Sequence, residues 1–183
     1  MAMAYSESAF HTISQLTDFL LISSAQAASS STHLHVRGVT HVINATLHSQ
    51  CPMPKYPKEI TTTRIPVDDV PSAGLYNYFD KVADIIHDIK KKGGRVLVHC
   101  YAGRSRSATL CIVYLMKYSR MPLREAHGYV KARRPLIRPN PGFWKQMIAF
   151  EKVLFGRSSV RMLNTKFGMM PDVYEVEYKN LVW

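Results

Sequence analysis

Val96-Leu97-Val98-His99-Cys100 is a short, nearly unbroken apolar run. It passes directly into Tyr101-Ala102-Gly103-Arg104-Ser105-Arg106-Ser107, and that loop into a segment, 108–118, that is apolar on almost every side. No other feature constrains the chain as tightly. A strand with apolar residues on both faces must be covered on both faces, as the interior strands of parallel sheets are. A helix that is apolar all round must be buried. Between them lies a glycine-containing turn. A strand–loop–helix turn of this kind aims backbone N–H groups into its own concavity, and the helix N-terminus adds partial positive charge. The sequence therefore describes an anion cradle with a sulfur at its base.

Segments of two kinds alternate around this turn. The β-branched run within 36–45 and the stretch 59–67 read as strands. Three prolines make 51–57 a loop. Tyr78, Phe79, Val82, Ile85, Ile86 and Ile89 fall at spacings that predict an amphipathic helix over 74–92, ended by Gly93-Gly94. Further helices are expected at 122–134 and 143–155, the second closed by Gly156. The last 27 residues show no helical period and read as an extended tail. Strands alternating with helices predict an α/β sandwich around a mainly parallel sheet. A chain of 183 residues suits one such body, placed at 11–156, with an N-terminal segment 1–10 and a C-terminal extension 157–183.

Charge narrows the partners. The net charge of +11 is lopsided, with −3 on residues 1–89 and +14 on 90–183. The second half should attract anions such as phosphate esters. It has neither zinc-finger spacing nor an RNP-like aromatic motif, so nucleic acid is not expected as a partner. No apolar run reaches the roughly 18 residues of a membrane span. Phe19-Leu20-Leu21-Ile22 faintly resembles a signal-peptide core, but no Lys or Arg precedes Arg37, so export is not expected. Cys51, Cys100 and Cys111 are too few for a disulfide scaffold and read as reduced thiols. Cys51 and Cys111 are expected to be inert. No close pair of ligands suggests a metal.

Cys100 and Arg106 stand six positions apart. Alone this is a weak signal, with about 0.2 matches expected by chance in such a composition; the strand, glycine loop and helix around it give it force. Helix N-termini and nearby cations favour thiolates, so Cys100 is expected to act as a nucleophile. The planar fork of Arg106 suits two phosphate oxygens. The Ser107 hydroxyl can donate to the sulfur and help it leave. His99 is expected to be buried and bonded to loop carbonyls, in a structural or tuning role. Arg133-Arg134 reads as a solvated face. Transfer of a phosphoryl group to sulfur also needs an acid for the leaving oxygen, and the loop has no carboxylate. Asp68-Asp69, after the strand ending at Val67, is the source to expect. Neighbours in extended chain point opposite ways, so only one should reach the site, and spacing does not say which.

The loop His-Cys-x-x-Gly-x-Ser-Arg-Ser resembles that of the cysteine-dependent dual-specificity protein phosphatases, and the chain from about His11 to Tyr174 is similar to their small atypical members without a kinase-docking domain. The likeness extends to Ile43-Asn44-Ala45-Thr46, to Asp69-Val70-Pro71, to the segment 107–117 and to Lys131-Ala-Arg-Arg-Pro-Leu-Ile-Arg-Pro-Asn-Pro-Gly-Phe-Trp. The resemblance implies a protein-tyrosine-phosphatase-like three-layer sandwich. It also implies a phosphate-binding loop of Tyr101, Ala102, Gly103, Arg104, Ser105 and Arg106, and catalysis by Cys100, Arg106 and Ser107. The family's Asp-x-Pro pattern falls on Asp69 as the acid, and Asn140 supports the loop. The implied activity is hydrolysis of phosphotyrosine and phosphoserine or phosphothreonine through a cysteinyl-phosphate, with no metal and no cofactor. Phosphoinositides or other non-protein phosphate monoesters are the alternative substrates, raised by the basic half and Arg104. Phosphorylated proteins, MAP kinases among the candidates, are the implied partners. A monomer or weak dimer in the cytoplasm, with the nucleus left open, completes the expectation.

Overall fold

The computed structural model describes residues 8–166 and 168–179. Its centre is a five-stranded sheet built from β1 (Ser14–Gln15), β2 (Leu20–Ser24), β3 (His41–Asn44), β4 (Thr61–Arg64) and β5 (Val96–Cys100), in the order β1-β2-β5-β3-β4. β5 lies in the middle, parallel to β2 with Cys100 opposite Ser24, and parallel to β3 with His99 opposite Asn44. β4 continues the parallel set, and only the two-residue β1 runs antiparallel. All five residues of β5 are buried, as its apolar run requires. β2, the segment with a signal-like composition, is equally buried.

The two faces of the sheet divide the core by strand alternation. On one face Leu21, Val42 and Leu97 pack with Ala27 and Leu34 of two short helices, α1 (Ala25–Ala28) and α2 (Ser31–Val36). On the other face Ile22, Ile43, Val96, Val98 and Cys100 meet four longer helices. These are α3 (Phe79–Lys91), α4 (Arg106–Tyr118), α5 (Leu123–Arg133) and α6 (Pro141–Phe155). The result is the expected three-layer sandwich. Helix α4 is buried along 11 of its 13 residues, from Arg106 to Met116, which explains its lack of a polar face. Phe79 of α3 and Phe150 of α6 meet edge to face at 5.4 Å, joining the outer helices.

Three boundaries differ from the sequence reading. The segment 74–92 divides into a 3-10 turn, Leu75–Tyr78, followed by α3. Strands β3 and β4 are shorter than their β-prone segments, because only the residues opposite a neighbour are paired. The C-terminal extension is not an extended tail. It forms the hairpin β6 (Met162–Thr165) and β7 (Gly168–Pro171), a 3-10 turn at Asp172–Tyr174, and a five-residue helix α7 (Glu175–Lys179). Val160, Met170 and Tyr174 are buried, and Trp144 Nε1 donates to the Tyr174 hydroxyl at 3.3 Å. Met169 is 38% exposed, whereas Trp183 lies outside the described residues.

Candidate active site

Parallel strands deliver their C-terminal ends to one edge of a sheet, and ligands of such folds bind there. Here β5 delivers Cys100, β3 leads to the loop holding Gln50, and β4 leads to Asp68 and Asp69. Cys100 is 1% exposed, and its Sγ lies 3.2 Å from the Ser107 hydroxyl in the first turn of α4. Between them the chain turns through Gly103 at φ +67°. A Cβ on Gly103 would lie 2.5 Å from the Ser23 carbonyl oxygen and 2.6 Å from Arg134 Nη2, so glycine is required by both conformation and space.

The loop is fixed from outside. Tyr101 carbonyl oxygen accepts from Ala25 N–H at 3.0 Å, and Arg104 carbonyl oxygen from Arg138 N–H at 2.8 Å. The Gly103 carbonyl accepts from Arg134 Nε at 2.8 Å. Arg134 is 1% exposed, and its Nη1 also donates to the Thr12 carbonyl and the Ser14 hydroxyl. Burial lowers its pKa to about 10, which leaves it a cation at neutral pH beneath the loop. This corrects the reading of Arg133-Arg134 as a solvated face: Arg133 is exposed, whereas Arg134 is a buried support. Tyr101, beside Cys100, is 64% exposed.

Arg106 is 4% exposed. Its Nη1 donates to Gln50 Oε1 at 2.6 Å and to the Val67 carbonyl at 3.1 Å. Its Nε is buried without a hydrogen-bond acceptor, 3.8 Å from Asp69 Oδ2. Asp69 Oδ1 accepts from Ser105 Oγ at 2.7 Å and from Asn140 Nδ2 at 2.9 Å. Asn140 N–H in turn donates to Ser105 Oγ, and Asn140 Oδ1 caps α6 by accepting from Phe143 N–H. Ser105, Asn140 and Asp69 thus form one cluster that ties the loop after β4 to the Cys100–Arg106 loop. Asp68 turns elsewhere and accepts from Gln50 Nε2 and from Asp69 N–H, which hold its carboxyl below the usual carboxylate range.

His99 is fully buried, with Nδ1 3.4 Å from the Cys100 carbonyl and Nε2 unpartnered. Burial pushes its pKa down to about 4, so the ring is neutral at physiological pH. Burial pushes the Cys111 thiol far up, in line with an inert residue. Among the described residues no cluster of His, Cys, Asp and Glu has metal-binding geometry.

A buried sulfur on a rigid loop, with an arginine fork and a tethered carboxylate around it, is equipped for attack on a phosphate monoester. The family model for the dual specificity phosphatase catalytic domain matches residues 20–153. The chain belongs to this family. As a dual-specificity phosphatase it is 51% identical over 170 residues to dual specificity protein phosphatase 14 of Mus musculus, covering 93% of this chain and 84% of that protein. Dual specificity protein phosphatase 18 of Rattus norvegicus is 44% identical over 170 residues, covering 93% of this chain and 82% of that protein. Among solved structures, a mouse dual specificity phosphatase complexed with zinc tungstate superposes with a TM-score of 0.75. It is 33% identical to this phosphatase over 85% of this chain and 96% of that one. The fold and the phosphatase class expected from the sequence both stand. No helix among the described residues of this phosphatase is long and apolar enough to cross a membrane.

Sequence reading missed Gln50 and Arg134. Gln50 sits in a proline-flanked loop with no motif of its own. Arg134 lies inside the matched segment Lys131-Ala-Arg-Arg-Pro, but two adjacent arginines look alike until a helix end turns one inward.

Proposed function

We propose that the chain removes phosphate from tyrosine and from serine or threonine of proteins by way of a cysteinyl-phosphate, with Cys100 as nucleophile and Asp69 as acid. Cys100 Sγ attacks phosphorus, and the bond from phosphorus to the ester oxygen breaks. The leaving oxygen takes the Asp69 proton. Water then attacks the cysteinyl-phosphate and gives its proton to the Asp69 carboxylate. The S–P bond breaks as Ser107 Oγ–H donates to the departing sulfur, the role its 3.2 Å separation supports. Arg106 and the loop N–H groups of 101–106 hold the phosphoryl oxygens as charge shifts among them. Asn140 and Ser105 aim Asp69, while His99 and Arg134 keep the loop rigid.

One observation carries the reading: Arg106 Nε is a buried donor with no acceptor, beside the carboxylate held by Ser105 and Asn140. Such a donor is costly to leave unpaired, and a bound phosphate oxygen satisfies it. The names of the relatives favour protein substrates over lipid or nucleotide phosphates. MAP kinases, in cytoplasm or nucleus, are the phosphoproteins we would try first, on the family's pattern.

The test is hydrolysis of an aryl phosphate across pH with a chelator present, comparing wild type with Cys100→Ser, Asp69→Ala and Asp68→Ala. Cys100→Ser should be inactive. Asp69→Ala should lose turnover by roughly a hundredfold, the usual size of an acid's contribution, together with the basic limb of the profile. Asp68→Ala should keep that limb. Activity that survives in Cys100→Ser would overturn the thiolate mechanism, and a lost limb in Asp68→Ala alone would reassign the acid.

A further inference from the structure

The positive surplus of residues 90–183 is not all gathered under the catalytic loop. The segment 136–138 runs along that loop: Arg138 N–H donates to the Arg104 carbonyl, and Arg104 Nε donates to the Leu136 carbonyl at 3.2 Å. From this segment the Arg138 guanidinium reaches Glu177 Oε2 at 3.0 Å, while Lys131 Nζ lies 3.6 Å from Glu177 Oε1. Lys131 Nζ is steadied by the Ile137 carbonyl at 3.2 Å, and Arg138 lies over the Tyr174 ring, 4.5 Å from its centroid. Two cations thus converge on one carboxylate next to the phosphate loop.

The carboxylate arrives on α7, a helix held at its base. Tyr174, just before it, is 3% exposed and packed edge-on against Trp144 and His127. Beyond that anchor Glu175, Val176 and Glu177 are exposed. The two ion pairs are partly solvated, and pairs of this kind contribute only about 0–1 kcal/mol. The cationic notch is therefore preformed, and its present occupant is weakly held.

We propose that the Arg138–Lys131 notch is a docking site for an acidic side chain that flanks the phosphorylated residue of a substrate protein, and that Glu177 is its intramolecular stand-in. The proposal rests on the phosphatase reading above. Arg138 is two residues from Asn140, which touches Asp69. An extended peptide rises about 3.3 Å per residue, so a carboxylate a few residues from the phosphate comes within reach of the notch. Glu177, tethered through Tyr174, competes at an effective concentration on the order of millimolar. Helix α7 thus damps selection for acidic substrates without touching the reacting atoms.

The test uses the full chain and labelled phosphotyrosine peptides, one all-glutamine around the phosphate and the others with a single glutamate at successive flanking positions. Binding is measured on Cys100→Ser, and turnover with Cys100 present. Glu177→Gln should tighten binding of a glutamate peptide at one position about three- to fivefold, the size of one exposed ion pair, and lower its KM with kcat unchanged. The all-glutamine peptide and an aryl phosphate should respond as before. Adding Arg138→Ala to Glu177→Gln should abolish the gain. Equal changes for glutamate and glutamine peptides, or no change for either, would overturn the notch. If the wild type turned over no phosphoester, the phosphatase reading would fail, and the binding comparison would still decide the notch.

Discussion

Gln50 adds a second tie between the Cys100–Arg106 loop and the loop of Asp68 and Asp69. Its carbonyl oxygen accepts from Arg106 Nη1 and its amide donates to Asp68. Its own loop is held by Arg64, whose Nη1 donates to the Thr46 carbonyl and whose Nη2 donates to the Cys51 carbonyl. Only the amide can serve both neighbours, since one needs an acceptor and the other a donor. Gln50→Ala should free both and lower kcat/KM for an aryl phosphate roughly tenfold, through loss of the orientation of Arg106. Gln50→Glu keeps the acceptor but sets a second negative charge against Asp68 and the incoming phosphate, so it should be the worse enzyme. Steady-state kinetics of the two variants decide this; an alanine variant within twofold of wild type removes Gln50 from the positioning machinery.

Element by element, periodicity and chemistry were legible where a segment carries its own pattern. Strand β5 and helix α4 could be read because one is apolar on both faces and the other all round. The C-terminal extension could not, because Val160 and Tyr174 join a core that helices α5 and α6 already line, and no internal period records that. Asp68 and Asp69 could not be separated by spacing, since the choice depends on Asn140, about 70 residues downstream in sequence. The seating of the loop that carries Asp68 and Asp69 was equally hidden. It rests on α6, where Gln146 Nε2 donates to the Ala73 carbonyl and Gln146 Oε1 accepts from Tyr76 N–H. Gly142 lies so close that a Cβ there would stand 1.9 Å from the Pro71 carbonyl oxygen. That atom is backbone and cannot rotate away, so Gly142→Ala should displace the loop with Asp69. Its pH profile should approach that of Asp69→Ala, with a stability loss of about 1–3 kcal/mol visible in thermal melts. An unchanged profile in Gly142→Ala would show that the seat is not needed to hold the acid.

At the scale of the whole molecule, the sandwich keeps two neutral histidines on opposite sides of its sheet. His99 sits at the end of the central strand, fully buried, and His127 packs between Trp144 and Tyr174 at 5% exposure. Burial lowers both to about 4 from an ordinary 6.5. Because the folded values lie below the unfolded one, the unfolded chain binds more protons between pH 6.5 and about 4. Stability from these groups is complete above pH 6.5 and declines as pH falls through that window. The full loss is at most about 3 kcal/mol per histidine, large beside the ~5–15 kcal/mol that holds a typical domain together. Carboxylates held below their usual range, such as Asp84 against Lys117, lose their contribution only at lower pH, so the two effects separate. Urea unfolding from pH 8 down to pH 4.5 should therefore show a falling midpoint that begins near 6.5. His127→Leu, which keeps the volume and removes one titrating ring, should flatten that slope. It should do so without altering the pH profile of catalysis, because His127 touches the C-terminal anchor and not the phosphate loop. A slope identical in wild type and His127→Leu would place the acid sensitivity elsewhere in the fold.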